Sequence, residues 1–410
     1  MEKEKQLIPQ LRFPEFEDDW KKCKIGDTFK LFNGYAFSSS DSLNSDGALW
    51  VKIADVGIDK MKTDNLSYLP YEYVEKYKKF ILSEGDYVIA LTRPILSGNL
   101  KIARIDKYFN NSLLNQRVAK LITDNNSSFI YNLLKGDRLI KSIENNIAGS
   151  DPPNLSPNDI NHIKINIPQL PEQQKIASFL TAIDAKITKL TKKKALLAQY
   201  KKGVMQKIFK QEIRFKDDNG NMFPDWEEKK LGVIGSIVSG LTYSPNDINE
   251  NGVLVLRSSN VKKRLIALND NVFVNIEEGK FNPVELNDIL ICVRNGSKRL
   301  IGKNAIIKEE HIGLAFGAFM TVYRSEYNRF LFHFFDSQYY KKEVHKNLGA
   351  TINSINGGDL KKFKVPFPCI AEQTKIANFL SAIDLKIEAL NNKIENSKNF
   401  KKGLLQQMFV

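Results

Sequence analysis

The chain carries one of its own segments twice. Residues 172–180 read EQQKIASFL, residues 372–380 read EQTKIANFL, and the likeness runs on in register, at an offset of 200, to Phe209 and Phe409. Nineteen of the thirty-nine positions from 171 to 209 are identical to their counterparts, among them Glu172, Gln173, Lys175, Ala177, Asp184, Lys201, Lys202 and Gly203. A period near 200 residues is far too long for a solenoid unit, so the copied object is a domain with a helix attached. A length of 410 residues suggests two to three domains, enough for two such cassettes.

The repeated segment reads as a helix with a heptad seam. From Ile176 the positions 176, 180, 183, 187, 190, 194, 197, 201, 204 and 208 alternate steps of four and three, and all but Lys194 and Lys201 are apolar. The second copy repeats the seam at Ile376, Leu380, Ile383, Ile387, Leu390, Ile394, Leu404 and Met408, interrupted by Ser397 and Lys401. Pro171 suits a first helical position. At 1.5 Å per residue each helix spans roughly 58 Å. Two matching seams in one chain bury each other most economically. The expectation is therefore a coiled coil whose interhelix seam comprises Ile176, Leu180, Ile183, Ile187 and Leu190 of one helix and Ile376, Leu380, Ile383, Ile387 and Leu390 of the other.

The intervening stretches differ in character. Residues 20–168 and 226–368 hold short β-type runs such as DYVIALTR (86–93) and DILICVR (288–294), punctuated by Gly, Asn, Ser and Pro. Weak repetition persists there: Trp20, Gly26 and Gly34 match Trp226, Gly232 and Gly240, while Gly149, Asp159, Lys164 and Pro168 match Gly349, Asp359, Lys364 and Pro368. FIYNLL (129–134) and FLFHFF (330–335) predict a core-facing helix in each copy. The fold class is α+β, with two pseudo-repeated globular domains separated by two long helices. The expected bounds are 1–168, 169–212 for the first helix, 213–367, and 368–410 for the second.

Charge permits a polyanionic partner without establishing one: 61 Lys plus Arg against 47 Asp plus Glu gives +14 and a pI near 9.3. Cys23, Cys292 and Cys369 are scattered without CxxC spacing, which argues against a disulfide framework or zinc site and fits a reducing cytoplasm. The histidines His162, His311, His333 and His345 never pair at metal-ligand spacing. The longest apolar stretch, around Leu314–Tyr323, is far below a membrane span.

Two catalytic look-alikes fail on their residues. DPPN at Asp151–Asn154 resembles the tetrapeptide of amino-group DNA methyltransferases, but Asn154 replaces the aromatic residue that would stack on a flipped base, and no glycine-rich donor loop follows a strand. GSKRLIGKN (296–304) spaces its glycines one residue too far apart for a P-loop and ends in Asn304 where magnesium needs Ser or Thr. What remains is a strand ending in a loop of Arg294, Asn295, Ser297, Lys298 and Arg299, with donors suited to guanine, adenine and phosphates. The first copy places Thr92, Arg93, Ser97, Asn99 and Lys101 at the equivalent strand end. The candidate DNA-binding set adds Tyr35, Gln116, Arg117, Tyr243, Ser258 and Asn260.

These features resemble the specificity subunit of bacterial type I restriction-modification enzymes. The likeness rests on the doubled EQ-K-IA-FL helix start after IPQLP and FPCIA, the GD or ND strand before an arginine loop, and the Asn115–Gln116 pair, and it covers nearly the whole chain. The second copy lacks the NQ pair, with Ala315–Ala318 near that place. The resemblance implies two target recognition domains that each read half of a split, asymmetric double-stranded DNA sequence, with the two helices packed antiparallel as a spacer. It implies no catalytic centre and no cofactor in this chain, and a bacterial cytoplasmic role in defence. The implied partners are two methyltransferase subunits using S-adenosylmethionine on adenine and two motor-nuclease subunits using ATP and Mg. The alternatives are a stand-alone DNA methyltransferase and a non-catalytic RNA-binding or coiled-coil scaffold.

Overall fold

The computed structural model describes residues 8–147, 152–277, 279–348 and 353–409. It divides into two compact units, Met1–Thr191 with Asn392–Val410, and Lys192–Asn391. Each unit thus takes its own globular part and a stretch of both long helices, Leu170–Phe209 and Ile370–Met408.

In the first unit an antiparallel four-stranded sheet runs in the order Lys30–Asn33, Val118–Ile122, Tyr87–Ala90, Ile102–Arg104. Tyr87–Ala90 is buried along its whole length, as its unbroken apolar run requires. A second small sheet contains a parallel pair, Ala48–Val51 with Ser112–Leu114. The expected FIYNLL helix forms at Ser127–Leu133, capped by the Asn126 side chain, which accepts from Phe129 N–H at 3.0 Å. Its Phe129 and Ile130 join Trp20, Ile143, Ile176, Leu180, Leu404 and Met408 in one core.

The second unit repeats this plan. Ser236–Ser239, Met320–Arg324, Ile289–Cys292 and Asn304–Ile306 form the four-stranded sheet, and Val255–Leu256 pairs in parallel with Ala315–Phe316. The helix Asn328–Phe334 buries Phe330, Leu331 and Phe334 against Met205, Ile208, Phe209, Ile376 and Leu380.

The repeated EQ signature is an anchor. Glu172 Oε1 accepts from Arg12 Nε at 2.9 Å and Trp20 Nε1 at 3.2 Å, and Oε2 accepts from Arg12 Nη2 at 2.8 Å. Glu372 repeats the arrangement with Arg214 Nε at 3.3 Å, Arg214 Nη2 at 2.8 Å and Trp226 Nε1 at 2.8 Å. Both carboxylates are buried in the first helical turn, where the helix dipole favours negative charge. Gln173 and Gln373 donate to the Pro168 and Pro368 carbonyls at 2.9 and 2.8 Å, fixing each strand-to-helix entry.

Inside each unit the helix segments run antiparallel. In the first, Lys401 Nζ meets Asp184 at 2.6 and 2.7 Å, while Leu404 and Met408 share the core of Ile176 and Leu180. In the second, Lys201 Nζ meets Asp384 at 2.7 and 2.8 Å and Lys194 Nζ donates to Asn391 Oδ1. The seam residues point inward: Ile176, Leu180, Ile376, Leu380, Ile383 and Leu390 are buried, and Ile183, Ile187, Leu190 and Ile387 are half-buried. Lys201 and Lys401, which look like flaws in the seam, are themselves buried and paired.

Candidate nucleic-acid interface

In the first unit the strand Tyr87–Ala90 ends in Leu91, whose N–H donates to the Arg117 carbonyl at 2.9 Å. This bond brings Thr92 and Arg93 beside the Asn115–Arg117 turn. Tyr35 joins them, since its N–H donates to Leu114 O at 2.9 Å and its carbonyl accepts from Gln116 N–H at 3.0 Å. The approach is close enough to require Gly34, where a Cβ would lie 2.1 Å from Leu114 O. Asn115 Oδ1 accepts from Arg117 N–H at 2.9 Å, so Asn115 shapes the turn while Gln116 and Arg117 project outward, exposed. The Tyr35 ring packs 4.6 Å from Tyr77 and 5.0 Å from Phe37, and a hydrogen bond with Tyr77 raises its hydroxyl pKa.

Beyond Arg93 a two-strand hairpin, Ile95–Leu96 with Asn99–Leu100, turns through Ser97 and Gly98 at positive φ. Asn99 Nδ2 donates back to Ser97 O at 2.9 Å. Thr92 Oγ1 donates to Asn154 Oδ1 at 2.7 Å and Asn154 Nδ2 to Pro152 O at 3.0 Å, so the visible part of DPPN is a turn that braces the strand end. Asp151 lies outside the described residues, as do Gly149 and Gly349. A 740 Å³ groove opens here, lined by Asp55, Lys62, Asn65, Arg93, Ser97 and Lys101 among others.

The second unit builds the same corner from different residues. Arg294 N–H donates to Phe319 O at 3.1 Å, and its guanidinium lies 5.7 Å from the Phe319 ring. Leu241 bridges Gly317 as Tyr35 bridges Asn115, so Gly317, Ala318 and Phe319 stand where the first unit has Asn115, Gln116 and Arg117. Phe319 is 58% exposed, an apolar surface in place of a cation. Ser297 precedes a 3-10 turn, Lys298–Leu300, that carries Lys298 and Arg299 outward. Arg93, Arg117, Arg294, Lys298 and Arg299 form no ion pair among the described residues.

Several candidates have structural duties instead. Asn260 is fully buried: its amide donates to Ala267 O and Asp270 O, both at 3.1 Å, and its Oδ1 accepts from Arg257 N–H at 2.9 Å, so it is removed from the contact set. Lys101 Nζ donates to Ile53 O at 2.9 Å, and burial lowers its pKa; Lys303, not singled out from sequence, donates equivalently to Ser258 O at 3.0 Å. Both lysines pin a loop. Asn295 is half-buried, donating to Ser258 Oγ at 3.0 Å and accepting from Ser297 N–H at 3.0 Å, so that it and Ser258 scaffold the arginine loop. Tyr243 is half-buried against Val255, Val274 and Ala315. Asn304 of the P-loop look-alike is buried on Gly302 O and Phe335 O. His333 is buried against Ser381, and burial pushes it down to about 3, a neutral core imidazole. No cluster that could hold a metal ion exists among the described residues, and no helix among them is long and apolar enough to cross a membrane.

The sequence pattern of the type I restriction modification DNA specificity domain matches residues 17–198 and again 224–397. The chain belongs to this family. It is 31% identical over 208 residues to the type I restriction enzyme MjaVIII specificity subunit of Methanocaldococcus jannaschii, covering 50% of this chain and 49% of that one. It is 23% identical over 429 residues to the EcoBI specificity subunit of Escherichia coli, covering 96% and 86%. The chain thus spans about half the length of the first relative, and most of the second. Among solved structures, the S subunit of a type I restriction-modification system from M. genitalium shares the fold at a TM-score of 0.64 and 16% identity, over 98% of this chain and 99% of that one. A chain of a type I R-M system superposes at 0.53 and 18% identity, over 95% and 97%.

Proposed function

We propose that the chain is the specificity subunit of a type I restriction-modification complex. It reads a bipartite, asymmetric sequence in double-stranded DNA, one half through the strand-end loops of each unit. One observation carries the reading: equivalent strand ends in both units present arginines without ion-pair partners among the described residues, while Thr92, Asn295 and Ser258 beside them are bound into loop scaffolding. Cations left unpaired on a basic surface suit phosphate oxygens and guanine edges. The chain itself supplies no catalytic group. Methyl transfer belongs to two methyltransferase subunits using S-adenosylmethionine, and translocation and cleavage to two motor-nuclease subunits using ATP and Mg, in the cytoplasm. The deciding experiment maps methylated adenines in cells carrying this chain with its partners. Two fixed half-sites at constant spacing are expected. Methylation by the chain alone, or preference for RNA over duplex DNA in competition, would favour the rival readings.

A further inference from the structure

The two units share a corner whose charges are reversed. In the first, the loop residue Asp59, at φ 64°, accepts from Lys135 Nζ at 2.6 Å and from the Tyr131 hydroxyl at 2.8 Å. In the second, Arg264, also at φ 64°, donates to the Phe332 carbonyl and lies 3.8 Å from the Phe332 ring centroid and 3.8 Å from Asp336. Arg264 follows Asp59 by 205 residues, and Phe332 and Asp336 follow Tyr131 and Lys135 by 201, the offset of the helices Ser127–Leu133 and Asn328–Phe334. Three positions have changed together, each in the sense the chemistry requires. A hydroxyl that donates to a carboxylate became a bare ring whose face attracts a guanidinium, and the order of anion and cation inverted. Both residues hold left-handed backbone, uncommon for Arg and better tolerated by Asp, and these side-chain contacts tie each one to the neighbouring helix.

Both loops have the same job. Each is pinned at its start, at Ile53 by Lys101 and at Ser258 by Lys303. Each folds over one internal turn, where Lys62 N–H donates to Asp55 O at 2.8 Å and Ala267 N–H to Asn260 O at 2.7 Å. The first loop walls the groove that holds Arg93, and the second touches the Arg294 loop through Ser258 and Asn295. We propose that the triads Asp59–Tyr131–Lys135 and Arg264–Phe332–Asp336 are positioning elements that hold loops 53–62 and 258–267 against the reading face, so that each triad governs fidelity at one half-site alone. This rests on the functional reading above.

The full chain with its methyltransferase partners tests it. Lys135→Asp sets two carboxylates against each other. Methylation at sites mismatched in the first half-site should rise about tenfold relative to the intact target, the scale of one lost base contact, with second half-site discrimination unchanged. The triple variant Asp59→Arg, Tyr131→Phe, Lys135→Asp installs the other unit's polarity and should restore discrimination. Amide exchange at Asp59, whose N–H donates to Ile102 O at 3.0 Å, and at Lys62 reads the loop without DNA; it should quicken in Lys135→Asp and recover in the triple variant. Quickened exchange with unchanged discrimination overturns the positioning role. So does loss of discrimination at both half-sites together, and so does a folded triple variant that restores neither readout. A wild-type complex without sequence-specific methylation removes the functional reading itself, and is told apart because it appears before any substitution.

Discussion

Arg294 and Arg299 stand on the same short loop, yet among the described residues an aromatic ring lies against Arg294 alone of the two. If the loop reads bases, either alanine substitution weakens binding through the second half-site. A base contact costs about 1–3 kcal/mol and relaxes one position, whereas a phosphate contact weakens all sequences and lowers the salt slope by about one. Binding assays across sequences and salt concentrations decide, and unchanged curves for both variants remove the loop from the interface. A second residue prediction concerns Lys401, pushed down to about 8 by burial and then by Lys135, against the opposing pull of Asp184. Between about 8 and the ordinary lysine value the unfolded chain holds a proton the folded chain has released, so this group adds stability as pH rises through that window and withdraws it as pH falls through 8. Denaturant unfolding of the wild type compared with Lys401→Met should show a steeper rise of stability across that window in the wild type. Arg93 and Arg294 were legible as exposed strand-end cations. Asn260 and Lys101 were not separable from them, because sequence shows that a side chain can donate but not that carbonyls 3.1 and 2.9 Å away already accept.

At the scale of elements, the helices expected at 169–212 and 368–410 run Leu170–Phe209 and Ile370–Met408, because the 3-4 stepping marks face and length and Pro171 marks the first start. The meaning of the interruptions was hidden: Lys201 and Lys401 break the apolar pattern, and only tertiary pairing with Asp384 and Asp184 shows why they lie inside. A buried polar pair is weak evidence for stability and better evidence for register, since sliding either helix leaves an uncompensated charge. If the helices act as the ruler between half-sites, inserting one heptad in both lengthens the spacer by about 10 Å, roughly three base pairs. Methylation mapping should then return the same half-sites at wider spacing. Selection of the original spacing would show that the ruler lies elsewhere. The sheets were legible only as scattered β-type runs. The parallel pair in each unit, and the pairing of Lys30–Asn33 with Val118–Ile122 and of Ser236–Ser239 with Met320–Arg324, join partners 60 residues or more apart that no local pattern announces.

For the whole molecule, the duplicated anchors and seams make a half-length product informative. A fragment of residues 1–212 bares Ile176, Leu180, Ile183, Ile187 and Leu190, which in the full chain belong to the unit that holds 392–408. Covering that stripe with a second copy buries large aliphatic side chains at about 1.5–3 kcal/mol each before ordering costs. The fragment is expected to form a symmetric dimer and, with methyltransferase partners, to direct methylation to an interrupted palindrome of the first half-site. Light scattering, repeated with Ile183→Asp and Ile187→Asp, checks this: a monomer at tens of micromolar, or a dimer indifferent to both charges, refutes it.

The crosswise pairing of Asp184 with Lys401 and of Lys201 with Asp384 has one more consequence. Each helix carries both the hook and the eye of the same fastening, so a product of half this length would carry both halves needed to close on its twin. Tandem fusion of two such products needs no new chemistry at the join. The fastening is common to both units, while their equivalent corners differ, Arg117 in one and Phe319 in the other.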